Sequence, residues 1–192
     1  MSIARVTVQW ARADATASVP DVPTCDPVES DLVDAAATPL ERAHRISSFT
    51  LVRTMLATAS GVAPTDLEID RTCARCGAAH GRPRARGLDL DVSVSHAGEW
   101  VVACVGRWCR VGVDAEQGDR RRWTAVEAVT KCDGVGLRVD HTEVAVTSDP
   151  LRLTRYPSRP GLVERIRLHA LNSAPPGITA TLAVLPSDGV LR

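Results

Sequence analysis

The segment Val111-Gly112-Val113-Asp114-Ala115-Glu116 ends an apolar run in two carboxylates at i and i+2. On a strand that spacing puts both on one face. Carboxylates side by side repel unless a cation lies between them. The pair reads either as a hard-metal site, most simply for Mg²⁺ held with substrate phosphates, or as two solvated charges at a strand end. Downstream, Trp123, Glu127 and Lys131 recur at i, i+4 and i+8 and stack along one helix face. Glu127 is then either a third acid for the metal, with Lys131 beside it to neutralise phosphate, or one half of a surface ion pair. Lys131 is the only lysine among 23 basic side chains. In a chain that otherwise uses arginine, a lone ammonium suggests a position that a guanidinium does not suit.

Ser93-Val94-Ser95-His96-Ala97-Gly98 reads as a small polar turn closing a strand, with Ser95 and His96 exposed at its tip. Neighbours on a strand point to opposite sides, so a Ser–His nucleophile is poorly served. A hydroxyl, an imidazole and backbone amides suit a phosphate; a plain β-turn is the alternative. Arg45 follows His44 on the first predicted helix, and Arg82, Arg84 and Arg86 share the loop after His80. Guanidinium forks suit phosphate, although either group alone reads as charged surface. Cys73-x2-Cys76-x3-His80 has half the spacing of a zinc site. No second pair follows to complete a tetrahedral set, so a turn carrying two reduced thiols is the expected state.

Elements that could position these groups follow from periodicity. Residues 3–10 alternate as a strand, and 11–37 read as loop with one turn of helix at most. Thr38-Pro39-Leu40-Glu41 is a helix start with a cap, a first-turn proline and a capping-box glutamate. Its apolar stripe runs to Leu56 and stops before Gly61. Strands are expected at 67–70, 90–95, 99–105, 110–115, 142–147, 162–169 and 178–185. A short helix is expected over 123–131, and loops over 71–89 and 148–160. The class is α+β with a mainly antiparallel sheet, and a weak boundary near Gly106-Arg107 divides the chain into halves 1–106 and 107–192.

Composition excludes several classes. With 23 basic and 23 acidic residues the 192-residue chain has no basic excess for a nucleic-acid duplex. No apolar run is long enough to span a membrane, and the N-terminal segment resembles neither a signal nor a transit peptide. The cytoplasm is the expected compartment. Aromatics make up 3% of residues, so the core must be aliphatic. Of the six cysteines, Cys104, Cys109 and Cys132 sit in apolar context as small core residues.

Taken in order, His80-Gly81-Arg82-Pro83, the segment 92–105 with Ser95-His96-Ala97-Gly98, Val111–Glu116 and 123–137 resemble the 4′-phosphopantetheinyl transferase superfamily, surfactin-synthetase-activating type. Ala43-His44-Arg45 also matches that family's first helix. The resemblance covers about residues 40 to 140. It implies a fold of two pseudo-two-fold-related subdomains with coenzyme A between them, and a monomer. It implies transfer of 4′-phosphopantetheine from coenzyme A to a serine of an acyl or peptidyl carrier protein, releasing 3′,5′-ADP. By the same resemblance Asp114, Glu116 and Glu127 would hold Mg²⁺, Glu127 would act as general base, and Lys131 would serve the leaving phosphate. Arg45, Arg82, Ser95 and His96 would bind coenzyme A. The chain departs from the pattern in two places: only Gln117 to Val126 bridge Glu116 and Glu127, and Val126 stands where the family usually has lysine. These departures motivate a second reading, a repurposed member that binds coenzyme A or a thioester, or runs another reaction on the same scaffold. A third is an interaction module stabilised by zinc at Cys73, Cys76 and His80.

Overall fold

The computed structural model describes residues 6–13 and 26–187. Strand β1 (Val6–Arg12) is followed by helices α1 (Pro27–Asp34) and α2 (Pro39–Ser60). Two-residue strands β2 (Ile69–Asp70) and β3 (Arg84–Ala85) precede a long hairpin, β4 (Leu90–Ala97) and β5 (Trp100–Arg107). Then come β6 (Cys109–Gln117), α3 (Arg121–Asp133), the hairpin β7 (Ala145–Ser148) and β8 (Leu151–Arg155), β9 (Arg167–Ala170) and β10 (Ile178–Pro186). The mixed α+β class is as expected, with three helices and small antiparallel sheets among the described residues.

Two three-stranded sheets carry the fold, ordered β1-β5-β4 and β6-β10-β9. In each, the first strand of its half pairs with the last, and the last with the one before it. A helix and a two-stranded pair sit between first and penultimate strands both times, α2 with β2-β3 and α3 with β7-β8. Strand periodicity then divides the side chains. On the first sheet Val92, Val101, Ala103 and Val105 pack on Val52, Met55 and Leu56 of α2. On the second, Ala183 and Leu185 pack on Ala125, Ala128 and Val129 of α3. The remaining faces meet each other through Val102, Cys104, Val111, Val113, Leu182 and Val184. The core is aliphatic, as the scarcity of aromatics requires.

Helix α2 starts where the sequence predicts. The Thr38 hydroxyl accepts from the Glu41 amide at 3.1 Å, and Glu41 accepts from the Ala37 amide at 2.8 Å. Gly61 closes the helix in the left-handed conformation, φ 78°. Helix α3 closes likewise at Gly134. Several expectations are corrected. The strand expected at 162–169 is only Arg167–Ala170 and follows a 3₁₀ turn at Pro160–Leu162; the one expected at 142–147 starts at Ala145, after a 3₁₀ turn at His141–Glu143. The segment 11–37 contains α1, which has two turns and an Asp26 cap rather than one turn at most. The segment 148–160 is not all loop: β8 pairs with β7 around a turn at Asp149-Pro150, so the prolines flank the strand instead of breaking it. And β4 runs through Ser95 and His96 to Ala97; the turn is Gly98-Glu99.

The two halves meet along a side-chain ladder. One edge of β6 pairs with β10; on the other, its amides are answered by β4. Val111, Val113 and Ala115 donate to Asp91 Oδ2 (2.7 Å), Ser93 Oγ (3.1 Å) and Ser95 Oγ (3.4 Å). Every rung has the same offset of 20 residues, so the strands run parallel. An edge that would otherwise leave buried donors unpaired is thereby satisfied.

Within the first half, the buried acid Glu29 of α1 accepts from Arg53 Nε at 2.7 Å and from Arg71 at 2.8 Å. Arg53 also donates to the carbonyls of Pro64 and Leu67, and the Arg71 guanidinium lies over the Phe49 ring. This network ties α1, α2 and the chain after β2 together.

Candidate functional site

At the top of the ladder Ser95, Asp114 and Lys131 come together. Lys131 Nζ donates to Asp114 Oδ1 at 2.6 Å and to Ser95 Oγ at 3.1 Å. The Ser95 hydroxyl in turn donates to Asp114 Oδ1 at 2.9 Å. With the Ala115 amide also on Ser95, its one donor and two acceptor positions are filled. Ser95 is therefore buried rather than exposed at a turn tip, while His96, one residue on, faces outward. Asp114 is 4% exposed, and its second oxygen, Oδ2, is buried with no partner.

Helix α3 reaches this point because of Gly112. A Cβ there would lie 2.1 Å from the Ala128 carbonyl oxygen and 2.4 Å from the Cys132 amide nitrogen. Only a residue without a side chain lets the helix backbone lie directly on β6, which brings Lys131 within reach of Asp114. Thr124 and Thr181 share a buried hydroxyl contact of 2.9 Å at the helix's other end.

Glu127 is buried on the same helix face. His141 Nε2 stands 3.0 Å from Glu127 Oε1, in ion-pair contact but off the hydrogen-bonding direction, so both atoms remain without a hydrogen-bond partner. Trp123, half exposed, meets the His141 ring edge to face at 4.8 Å. Burial pushes the Glu127 carboxyl above its ordinary pKa; His141 and Lys131 pull it down, and the charges of Asp114 and Glu116 push it up again. The three predicted acids thus share one electrostatic neighbourhood. They do not form a closed ligand set: among the described residues, the metal-ligating side chains gathered within 4.8 Å of one another are Cys73, Cys76 and His80. Two buried carboxylate oxygens lack a hydrogen bond, Asp114 Oδ2 and Glu127 Oε1, and a hard cation is a group that satisfies such oxygens.

The predicted cations fare differently. Arg45 bonds to the Leu32 carbonyl and to Glu41, turning toward α1. Its neighbour His44, one helical step round, faces the site. His44 Nε2 contacts the Gly98 carbonyl at 2.7 Å, and its ring stacks on His96 at 4.5 Å between centroids. Burial, then His44 and Lys131, hold His96 below its ordinary pKa, and Asp114 opposes them. Arg82 is a staple. It donates to the carbonyls of Val92 (3.1 Å), Lys131 (2.6 Å) and Val111 (2.5 Å), and to Asp91 Oδ2 (2.6 Å). With most of its N–H groups spent on β4, β6 and α3, it is not a free fork for a nucleotide. Arg82 therefore locks the seam, and the α2 residue beside His96 is His44 rather than Arg45, the predicted coenzyme A ligand of that helix.

A hollow of about 510 Å³ lies elsewhere, bordered by Asp26, Arg53, Asp66, Glu68, Asp70 and Arg86. It shares no residue with the cluster, and both of its arginines are ion-paired, Arg53 with Asp26 and Arg86 with Asp70. No helix among the described residues is long and apolar enough to cross a membrane. No family model matches this sequence, and neither does any curated protein.

Proposed function

We propose that the protein is a 4′-phosphopantetheinyl transferase that moves 4′-phosphopantetheine from coenzyme A to a serine hydroxyl of a carrier protein. The observation that carries this reading is the Ser95–Asp114–Lys131 cluster at the seam of the two halves, with Glu127 on the same helix face. The ordered motifs of residues 80–137 support it, as does the repeated strand order, which suits two related subdomains, 1–106 and 107–192.

Each side chain has a task suited to its surroundings. Asp114, Glu116 and Glu127 would hold Mg²⁺, which when bound would neutralise the pyrophosphate of coenzyme A. Glu127, made more basic by burial, accepts the proton of the carrier serine as its oxygen bonds to the β-phosphorus. The pyrophosphate P–O bond breaks on the far side and 3′,5′-ADP leaves. Lys131 spends two of its three N–H donors on Asp114 and Ser95 and has one left, among the described residues, for the leaving phosphate. His96, outward-facing and stacked on His44, supplies a ring nitrogen to the nucleotide.

A second reading has its own observation. Val126 is buried in the α3 core, so the position usually held by lysine points inward. The bridge from Gln117 is short and is pinned by the Gly118 amide on the Gly177 carbonyl at 2.8 Å. A member that binds coenzyme A without modifying a carrier would be built this way. Incubation with coenzyme A, Mg²⁺ and a panel of apo carrier proteins separates the two. The transferase reading expects a carrier mass gain equal to one phosphopantetheine, lost without Mg²⁺. Saturable coenzyme A binding with no gain on any carrier overturns it in favour of the second.

A further inference from the structure

Away from this cluster, the loop after β2 brings two sulfurs and an imidazole together. The ligating atoms of Cys73, Cys76 and His80 all lie within 4.8 Å of one another, and Cys76 Sγ is 3.0 Å from His80 Nε2. Both cysteines are free thiols. The loop is folded to hold them there. The Cys73 amide donates to Ala78 O at 2.8 Å, and the Gly77 amide donates back to Cys73 O at 2.9 Å. Gly77 takes the left-handed conformation this turn needs, φ 75°. The loop then closes on itself: the Gly81 amide reaches Arg71 O at 2.6 Å, and a Cβ on Gly81 would strike Thr72 O at 2.6 Å. The next residue is Arg82, the staple of the seam.

We propose that Cys73, Cys76 and His80 bind one Zn²⁺, with solvent as fourth ligand, and that the ion closes loop 71–81 so that Arg82 is held in place. Two thiolates and an imidazole are the donor set of zinc; Mg²⁺ takes oxygen ligands. Cys76 and His80 are exposed and Cys73 partly so, which leaves room for a water in the fourth position. On binding, two S–H bonds give way to Zn–S bonds and both protons pass to solvent. The site does not depend on the transferase reading, since it draws on none of that cluster's residues.

The test uses the full chain, untagged, purified under reducing conditions and exchanged into metal-free buffer. Elemental analysis should find about one zinc per chain. Co²⁺ in its place should give thiolate charge-transfer and the intense visible bands of a tetrahedral ion. Cys73→Ser, Cys76→Ser and His80→Ala should each lower bound zinc at least about tenfold, as expected for loss of a first ligand. His80→Cys should keep the metal, and Cys104→Ala, in the core, should leave it unchanged. Circular dichroism distinguishes a misfolded variant from a folded one that has lost the metal. A wild-type protein that takes up neither zinc nor cobalt, a cobalt spectrum without thiolate charge transfer, or ligand variants that keep their zinc would each overturn the assignment.

Discussion

Replacing Gly112 by alanine probes the contact on which the geometry of the site rests. The added Cβ would meet Ala128 O at 2.1 Å, Cys132 N at 2.4 Å and Cys132 Cα at 2.9 Å. All three are backbone atoms, so no side chain can swing aside; α3 must lift from β6 by more than an ångström to regain ordinary contact. Overpacking of this kind costs about 1–3 kcal/mol, and a rigid obstacle belongs at the upper end. Gly112 is not among the glycines with positive φ, so alanine also stiffens the unfolded chain, which returns about 0.4–1 kcal/mol. The expected net loss is about 2 kcal/mol. With an m-value of about 1–3 kcal/mol per molar urea, the midpoint falls by roughly 1 M. Gly161→Ala is the control, because nothing lies within 4 Å of its Cβ position, and it should stay within about 0.5 kcal/mol of wild type. Since the helix carries Glu127 and Lys131, a shift of that size should also slow carrier loading by about 100-fold in protein that remains folded. A Gly112→Ala midpoint equal to that of Gly161→Ala would refute the claim that this glycine sets the helix position.

Other perturbations test other parts of the structure. Glu29→Gln leaves Arg53 and Arg71 buried without their shared countercharge; a loss of about 3–5 kcal/mol is expected in urea unfolding, and less than about 1 kcal/mol would deny the network its role. His96 has its pKa held below the ordinary 6.5 in the folded state, with His44, Lys131 and Asp114 facing it. As pH falls below 6.5 the unfolded chain takes the proton first, so stability drops there. His96→Asn should flatten that part of the stability–pH curve, and an unchanged slope would place the cause elsewhere. Glu127→Gln removes the proposed base while keeping the side chain's shape. Carrier loading should fall by about 10²- to 10⁴-fold, and near-normal turnover would assign the proton to another group.

What the sequence discloses follows the range of the interactions involved. The ends of α2 are written locally, in Thr38, Pro39, Glu41 and Gly61, and they lie where those residues say. The strands from Leu90 to Gln117 are legible because they are short runs dense in valine and alanine, separated by short turns. The Glu29–Arg53–Arg71 network is not legible, since its members lie 24 and 42 residues apart and each reads singly as a solvated charge. Strand β8 was hidden by Pro150 and Pro157, which read as breakers although they stand at its ends. Among the candidate site residues, Ser95, Asp114 and Lys131 meet as strand and helix periodicity allow. Arg45 and His44 are where that logic falls short. Adjacent helix residues point about 100° apart, and no local signal says which one faces the sheet. Arg82 shows a different limit: a guanidinium suits phosphate and carbonyl oxygens alike, and only the fold decides which it meets.

The seam explains why these polar groups are placed as they are. Parallel neighbours in a sheet normally exchange backbone hydrogen bonds at a spacing of about 4.8 Å. Between β4 and β6 that exchange is replaced by side chains, Asp91, Ser93 and Ser95, at every second position. The alternation looks in the sequence like the wet face of an edge strand, yet it is the joint between two halves of the molecule. A joint made through side chains yields more readily than a backbone ladder, because a hydroxyl can turn while an amide cannot. Its last rung, Ser95, is also the partner of Asp114 and Lys131, and Arg82 crosses its first rung at Asp91 to the carbonyl of Lys131. Any movement of one half against the other therefore reaches Lys131 from both ends of the ladder. Asp114 lies on β6 and Ser95 on β4, so the hydrogen bond between them forms only when the halves are in register. The cluster is thus assembled by the same contacts that join the two halves.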